Sequence, residues 1–411
     1  MASASAIIPV GYKQTEVGVI PEDWRVISTS ESCNKIQDGT HFSPKMGGND
    51  FLYVTSKNIR FGHLDLQNVD FISESEHMKI YKRCNVKQND LLLTKDGAST
   101  GNTALNTLEE EFSLLSSVAF LRFDDTKHSP SYFLQQFLSE WGQNQMKKAM
   151  AGNAITRLTL QKIKILKFPI PPTKIEQNII AEVLTDLDLQ VQALGNLIVK
   201  KRDIKQGTMQ ELLTAKTRLP GFSGEWKNKR LEEVAKIKTG SRNNQDKIED
   251  GKYPFFVRSQ TVERIDTFSL ECEAILVPGD GNIGSIFHYI NGRFDVHQRV
   301  YAITRFDSNA CGKYILYFMS NFFGPYALEN TVKATVDSLR LPTFQNFVIN
   351  LPPTIEEQNG IAEVLSDMDA EIAALEQRLE RTKAIKQGMM QQLLTGRIRL
   401  VEPSTPVEAS A

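Results

Sequence analysis

No stretch of the 411 residues approaches the ~18–20 consecutive apolar residues that a membrane span needs. The short apolar stretch between Met1 and Val10 also has no basic segment ahead of it, so neither membrane insertion nor secretion is expected and the anticipated setting is cytoplasmic. Cysteine is scarce: Cys33, Cys84, Cys272 and Cys311 lie far apart, with no CxxC pair and no Cys/His cluster at ligand spacing. A reduced protein without structural zinc is the expectation. An excess of one charge is missing too, since 48 Lys+Arg face 49 Asp+Glu for a net charge of −1. Such a chain cannot coat a nucleic acid by bulk charge, so any such site must be local. Its 41% hydrophobic and 24% charged residues are ordinary globular values, and the length suits two or three domains.

What is present is a repeat. Pro171 to Asp188 (PPTKIEQNIIAEVLTDLD) and Pro352 to Asp369 (PPTIEEQNGIAEVLSDMD) agree at 13 of 18 positions with an offset of 181. At the same offset, Ile204 to Thr214 matches Ile385 to Thr395 at 9 of 11 positions. Thr173 with Glu176, and Thr354 with Glu357, have the spacing of capping boxes just after a Pro-Pro that bars helix before it, which predicts a long helix after each. Ile180, Leu184, Leu187, Val191, Leu194 and Ile198 in the first helix recur at alternating steps of four and three. Ile361, Leu365, Met368, Ile372, Leu375 and Leu379 fill the same slots in the second. A 3.5-residue period is a coiled-coil seam, here turning polar at Lys201 and Lys205 and at Thr382 and Lys386.

Charge predicts the direction of pairing. The first helix runs from acidic (Glu176, Glu182, Asp186, Asp188) to basic (Lys200, Lys201, Arg202, Lys205), and the second does likewise, from Glu356 to Lys386. Antiparallel packing sets each acidic half against a basic half, as a rod of ~60 Å for ~40 residues. Gly207 and Gly388, at equivalent helical positions, are expected to permit close approach of the rods or of a partner.

The globular segments, approximately 11–170 and 216–351, read as diverged copies. Each opens on a tryptophan (Trp24, Trp226) and continues with a Lys-Ile-x-x-Gly element, at Lys35 to Gly39 and Lys236 to Gly240. Asp90 to Gly97 and Ala274 to Gly281 are apolar strands running into Asp-Gly turns, with return strands at Leu115 to Leu121 and His297 to Ile303.

The paired PPTxxEQNxIAEVLxDxD helices, Arg218-Leu-Pro-Gly-Phe-Ser-Gly-Glu-Trp226 at the second copy and Gly11 to Trp24 at the first resemble the specificity subunit of type I restriction-modification enzymes, over about Gly11 to Leu400. The resemblance implies a mixed α/β (α+β) fold. It has two pseudo-symmetric target-recognition domains (11–170 and 216–351) and two spacer helices (171–215 and 352–396) in an antiparallel coiled coil. The tails (1–10, 401–411) are themselves expected to be disordered. The resemblance implies that each domain reads half of a split site in double-stranded DNA and that the coiled coil sets the gap. It also implies two adenine-methylating and two motor-nuclease partner subunits. S-adenosylmethionine, ATP and Mg2+ are then expected on the partners and no cofactor on this chain.

A non-catalytic role agrees with the decoys. The Pro-Pro pairs lack the flanking Asn/Asp/Ser and aromatic of an N6-adenine methyltransferase loop, following Ile170 and Leu351 instead. Gly279 to Gly284 fits GxGxxG, but the residues after it read as a strand rather than a helix. No GxxxxGK[ST] occurs, and the six histidines form no spaced metal pair.

Phosphate contact is expected from the acid-free stretch Trp141 to Ile175, with Lys147, Lys148, Arg157, Lys162, Lys164, Lys167 and Lys174. Base reading needs Arg or Lys for guanine and Asn or Gln for adenine. The polar turns offer Thr40, His41, Ser43, Lys45, Ser56, Lys57, Asn58, Lys95 and Asn153 in the first domain. In the second they offer Ser241, Arg242, Asn243, Asn244, Arg258, Gln260, Asn282, Gln298, Arg299 and Lys333. Two other readings stand beside this one: a specificity subunit for a fused nuclease-methyltransferase, and a coiled-coil scaffold with two protein-binding heads.

Overall fold

A computed structural model describes residues 8–150, 157–330 and 338–402. Two long helices dominate, Lys174–Leu213 and Ile355–Leu393, inside the boundaries expected from the Pro-Pro pairs and the polar segments that follow. The chain divides into two compact units, Met1–Ala193 with Leu379–Ala411, and Leu194–Arg378. Each long helix therefore contributes residues to both units. Among the described residues no helix is long and apolar enough to cross a membrane.

Within each unit the helix segments run antiparallel. In the first, Lys386 Nζ meets Asp188 at 2.5 Å; in the second, Lys205 meets Asp369 at 2.5 Å and Arg202 meets Glu376 at 2.5 Å. The Lys386–Asp188 and Lys205–Asp369 pairs are the same pair at the offset of 181. Lys205, Lys386 and Lys201, which pairs with Glu371, are three of the four polar seam positions, so the lysine breaks in the apolar seam are filled by opposite charge. Half-exposed pairs of this kind contribute little stability, but a parallel arrangement would set like charges together. The apolar seam positions are all buried or half-buried. Their first members, however, pack into a head: Ile180 and Leu184 join Trp24, Tyr132, Phe137, Phe168, Leu393 and Leu394 in one core. Ile361 and Leu365 join Tyr314, Phe323, Phe344, Met209 and Leu212 in the other. A head thus sits on the start of one long helix and the end of the other.

Several identities between the repeats are explained by this arrangement. Thr173 and Thr354 cap their helices, each hydroxyl accepting the N–H three residues on at 3.3 Å. The glutamates do not fold back as a full capping box would require. Glu357, fully buried, takes a bidentate pair from Arg218 (2.9 and 2.6 Å), and Glu176, 1% exposed, takes the equivalent pair from Arg399, with Nη2 at 2.8 Å. Arg218 and Arg399 are themselves 181 residues apart. The next residue, Gln177 or Gln358, reaches the start of a head helix: Gln177 accepts from the Ser129 N–H at 2.9 Å, and Gln358 from the Cys311 N–H at 2.8 Å. Asp188 and Asp369 each also hold a head-helix side chain, Gln135 at 3.2 Å and the Tyr317 hydroxyl at 2.9 Å. Gly207 and Gly388 do not serve close approach of the rods, since a Cβ at either would meet no atom within 4 Å.

The first head carries an antiparallel sheet in the order Cys33–Asp38, Val118–Phe123, Leu91–Thr94, Thr103–Leu105. A smaller sheet joins Asp70–Ile72, Met46–Val54 and Ser113–Leu114. The second head has one six-stranded sheet: Lys236–Thr239, Val300–Thr304, Leu270–Pro278, His288–Val296, Tyr253–Phe256, Glu263–Ile265. The first three strands repeat the pattern of the first head, with the return strands paired to the apolar strands as expected (Val118↔Thr94, Val300↔Pro278). The glycine closing each Lys-Ile-x-x-Gly element is required by space: a Cβ at Gly39 would lie 2.1 Å from the Leu114 oxygen, and at Gly240 1.9 Å from that of Val296.

Arg218→Ala should clearly destabilise the start of the second long helix, because it strands a buried carboxylate. Glu357→Gln, leaving a partly exposed guanidinium, should cost less. Hydrogen exchange over Ile355 to Leu365 measures both; protection that survives Arg218→Ala would show the clasp to be dispensable.

Candidate nucleic-acid interface

The strands of the second head deliver its polar turns to a common edge. Arg242 bridges His297, the Gln298 N–H donates to the Arg242 carbonyl at 2.9 Å, and Gln298 Nε2 donates to Asn243 Oδ1 at 2.6 Å. The His297 N–H reaches the Phe256 carbonyl at 3.0 Å, tying in the following turn with Arg258, and Gly279 N–H reaches the Arg299 carbonyl at 2.8 Å. A cleft of about 430 Å³ between these turns is lined by Asn244, Arg258, Ser259, Asp280, Gly281 and His297. Arg258 pairs with Asp280 at 3.3 Å. Ser241, Asn243, Asn244, Arg258, Gln260, Asn282, Gln298 and Arg299 are exposed, and Arg242 is half-buried. The structure therefore gathers Arg242, Asn243, Asn244, Arg258, Gln298 and Arg299 into one surface. Lys333 lies outside the described residues.

His297 is buried, and burial pushes its imidazole below its usual value, aided by the neighbouring Arg258. Kept neutral, its Nδ1 accepts the Arg299 N–H at 3.0 Å and shapes the turn.

The first head is built differently at the same edge. Asp38, 4% exposed, is shared by His41 (3.1 Å), Arg83 (3.4 Å) and Lys95 (3.4 Å), and Lys95 also pairs with Asp96 at 3.1 Å. Arg157 closes the row on Asp96 at 3.0 Å. His41, Ser43, Lys45, Lys147, Lys148 and Arg157 are exposed, while Lys57 is tied to Asp70 at 2.6 Å. Three expected readers point inward. Lys95 is 1% exposed, locked between two carboxylates; Asn58 is buried, spent on the Thr55 N–H and the Asp65 carbonyl; Thr40 is buried at the bridge to Leu115. They build the edge rather than face a ligand. Asn153 lies outside the described residues.

The basic stretch is also not the free patch that its local count implied. Arg157 meets Asp96, and Lys167 meets Glu16 at 2.7 Å. Lys162 caps the Ala149 carbonyl and Lys174 the Asp125 carbonyl. Lys147 and Lys148, in the last turn of helix Glu140–Met150, are left exposed. Folding brings acids and carbonyls that a window along the chain cannot contain. Asp295 and Arg83 were not anticipated. An Asp flanked by Phe294 and Val296 in an apolar strand was the one available signal for the former.

Two stretches, 21–200 and 223–386, match the family described as type I restriction modification DNA specificity domain. The chain belongs to this family. Among its relatives, the type I restriction enzyme MjaVIII specificity subunit of Methanocaldococcus jannaschii is 23% identical over 425 residues, covering 93% of this chain and 94% of that one. The fold resembles the crystal structure of the type I restriction-modification S subunit from M. genitalium, with a TM-score of 0.66 at 14% identity, covering 90% of this chain and 96% of the other. A structure described as underlying complex assembly and conformational transition of the type I system aligns with a TM-score of 0.54 at 18% identity over 92% and 99%. Each family match takes in one head and most of the helix after it, which is the repeat read from the sequence.

The depressed His297 pKa gives a pH signature. The unfolded state takes up its proton near 6.5, before the folded state does, so the stability present above that pH falls as pH drops through the depressed folded value. Urea unfolding of the second unit between pH 8 and 5 should show this loss, and His297→Asn should flatten it; an unchanged slope in that variant would assign the loss to other groups.

Proposed function

We propose that this chain is the DNA-reading subunit of a type I restriction-modification complex, in which each head reads one half of a bipartite target. The paired helices set the gap between half-sites. Methylation of adenine and ATP-dependent cleavage then belong to partners, two methylating and two motor-nuclease subunits, which would hold S-adenosylmethionine, ATP and Mg2+. This chain contributes the readout and the geometry, but no catalytic residue.

The observation that carries the reading is the contrast within the repeat. The helix starts, their Arg clasps and the Lys–Asp pairs are the same twice over, whereas the edges of the two heads present different side chains on comparable strands. A frame used twice with two different reading edges suits a two-part target. The second edge collects Arg, Asn and Gln, the residue types that distinguish guanine and adenine in the major groove. A net charge of −1 suits a subunit whose partners help hold the duplex.

Mapping N6-methyladenine across the genome of cells with this chain and its methylating partner, against cells lacking only this chain, tests the proposal. A split motif with a fixed gap is expected, and exchanging residues 11–170 for those of another family member should change one half alone. An active partner that gains no motif from this chain would favour a scaffold with two protein-binding heads.

A further inference from the structure

One acidic side chain in the second head has no ordinary reason to be where it is. Asp295 is 0% exposed, between Phe294 and Val296 at the end of a central strand. A carboxylate persists in such a place only when donors meet its lone pairs. Ser269 Oγ donates to Oδ1 at 2.7 Å and the Val296 N–H to Oδ1 at 3.1 Å; Thr267 Oγ1 donates to Oδ2 at 3.0 Å and Arg242 Nε to Oδ2 at 3.1 Å. Arg242 Nη2 in turn donates to the Thr267 hydroxyl at 3.0 Å. The arginine side chain nevertheless remains 39% exposed.

Nε and Nη2 share one edge of the guanidinium, and that edge is the one held by Asp295 and Thr267. The other fork keeps both N–H groups of Nη1 and the second of Nη2, with no partner for Nη1 among the described residues. The main chain is pinned as well, through the Val296 carbonyl on the Arg242 N–H (3.3 Å) and the Gln298 N–H on its carbonyl. A planar donor fork, fixed from behind and open in front, is what the O6 and N7 acceptors of guanine require. We propose that Arg242 reads a guanine in the half-site of the second head, and that Asp295 is the residue that positions it. The proposal rests on the DNA-reading role given above.

A phosphate contact is the less fitting use. The charge of Arg242 is already matched by Asp295, whereas phosphate binding draws on unmatched charge and appears in the salt dependence. Among the described residues the first head has no counterpart at this bridge, which Thr40 makes and where it is buried. The effect should therefore be confined to one half of the target.

The test is methylation by the full chain assembled with its methylating partner, on duplexes in which each guanine of the split motif is replaced in turn by 7-deazaguanine. The wild-type complex should lose about tenfold in rate at one guanine of one half-site. Arg242→Lys and Arg242→Ala should be indifferent to that replacement and should accept other base pairs at that position, with the other half-site unchanged. Asp295→Asn should lose the same discrimination, and combining it with Arg242→Ala should add nothing. The slope of binding against salt should be unaltered throughout. Tolerance of 7-deazaguanine at every position by the wild type, a half-site lacking guanine, or an Arg242→Ala complex that keeps its motif would each overturn the assignment. So would a uniform weakening on all sequences with a shallower salt slope, which marks a phosphate contact. A wild-type complex with no split motif at all removes the underlying role, whereas a split motif indifferent to Arg242 removes this inference alone.

Discussion

The arrangement depends on a buried carboxylate at the start of each long helix being matched by an arginine that follows the end of the other. Glu357 receives Arg218 and Glu176 receives Arg399, each in a bidentate geometry. A carboxylate there also meets the positive end of the helix dipole. Neither glutamate could be buried without its arginine, and the arginines lie within six residues of Leu213 and Leu393, where the helices stop. The end of one helix is therefore held at the beginning of the other, which makes antiparallel pairing a consequence of local chemistry at the termini. The charges along the rods agree with that direction without having to enforce it. The neighbouring Gln177 and Gln358 extend the same junction to the heads by binding the N–H at the start of Pro130–Leu138 and of Gly312–Glu329.

Much of this frame was legible because it is periodic or repeated. The 3.5-residue spacing and the Pro-Pro starts place both helices, and the acidic-to-basic gradient gives their direction. The strand correspondences of the heads follow from Lys-Ile-x-x-Gly and the Asp-Gly turns. The clasps were not legible, because Arg218 and Arg399 fall in segments that differ around them (TRLP against IRLV), and an arginine in isolation names no partner. The glutamates were visible, but their spacing from Thr173 and Thr354 pointed to a local capping role that the distant arginines outcompete. Local reading failed in the same way at the basic stretch, where Asp96 and Glu16 arrive from outside any window that contains Arg157 and Lys167.

At the reading edges, sequence could nominate residue types but not their orientation. Lys95 and Arg242 looked alike as cations beside turns. The first enters a strand-end cage of Asp38 and Asp96 and is lost to solvent, whereas the second lies along a carboxylate and keeps one fork outward. The difference lies in the acid. Asp38 ends the edge strand Cys33–Asp38, whereas Asp295 lies at the end of the central strand His288–Val296, which Arg242 reaches because its turn bridges to His297 just beyond that strand. The position equivalent to Lys95 in the second head is Gly279, which leaves Asp280 to Arg258 alone. With Gly279 in place of Lys95 and Thr239 in place of Asp38, the second head has a cleft where the first head has an ion-pair row.

Divergence of this kind is possible because the path of each edge is set by the main chain, on which each head builds its own set of side-chain contacts. Gly39 and Gly240 let two strands approach until backbone meets backbone, and the bridges Thr40↔Leu115 and Arg242↔His297 then set the turns by amide hydrogen bonds that any side chain tolerates. Exposed turn side chains that hold no buried partner can therefore change at little cost to the sheet. The helix junctions have no such freedom: a change at Glu176, Gln177 or Asp188 would strand a buried or shared partner on a second element. Near-identity thus falls where side chains join a long helix to a second element, and divergence where the main chain alone sets the path and each head pairs its buried acid in its own way.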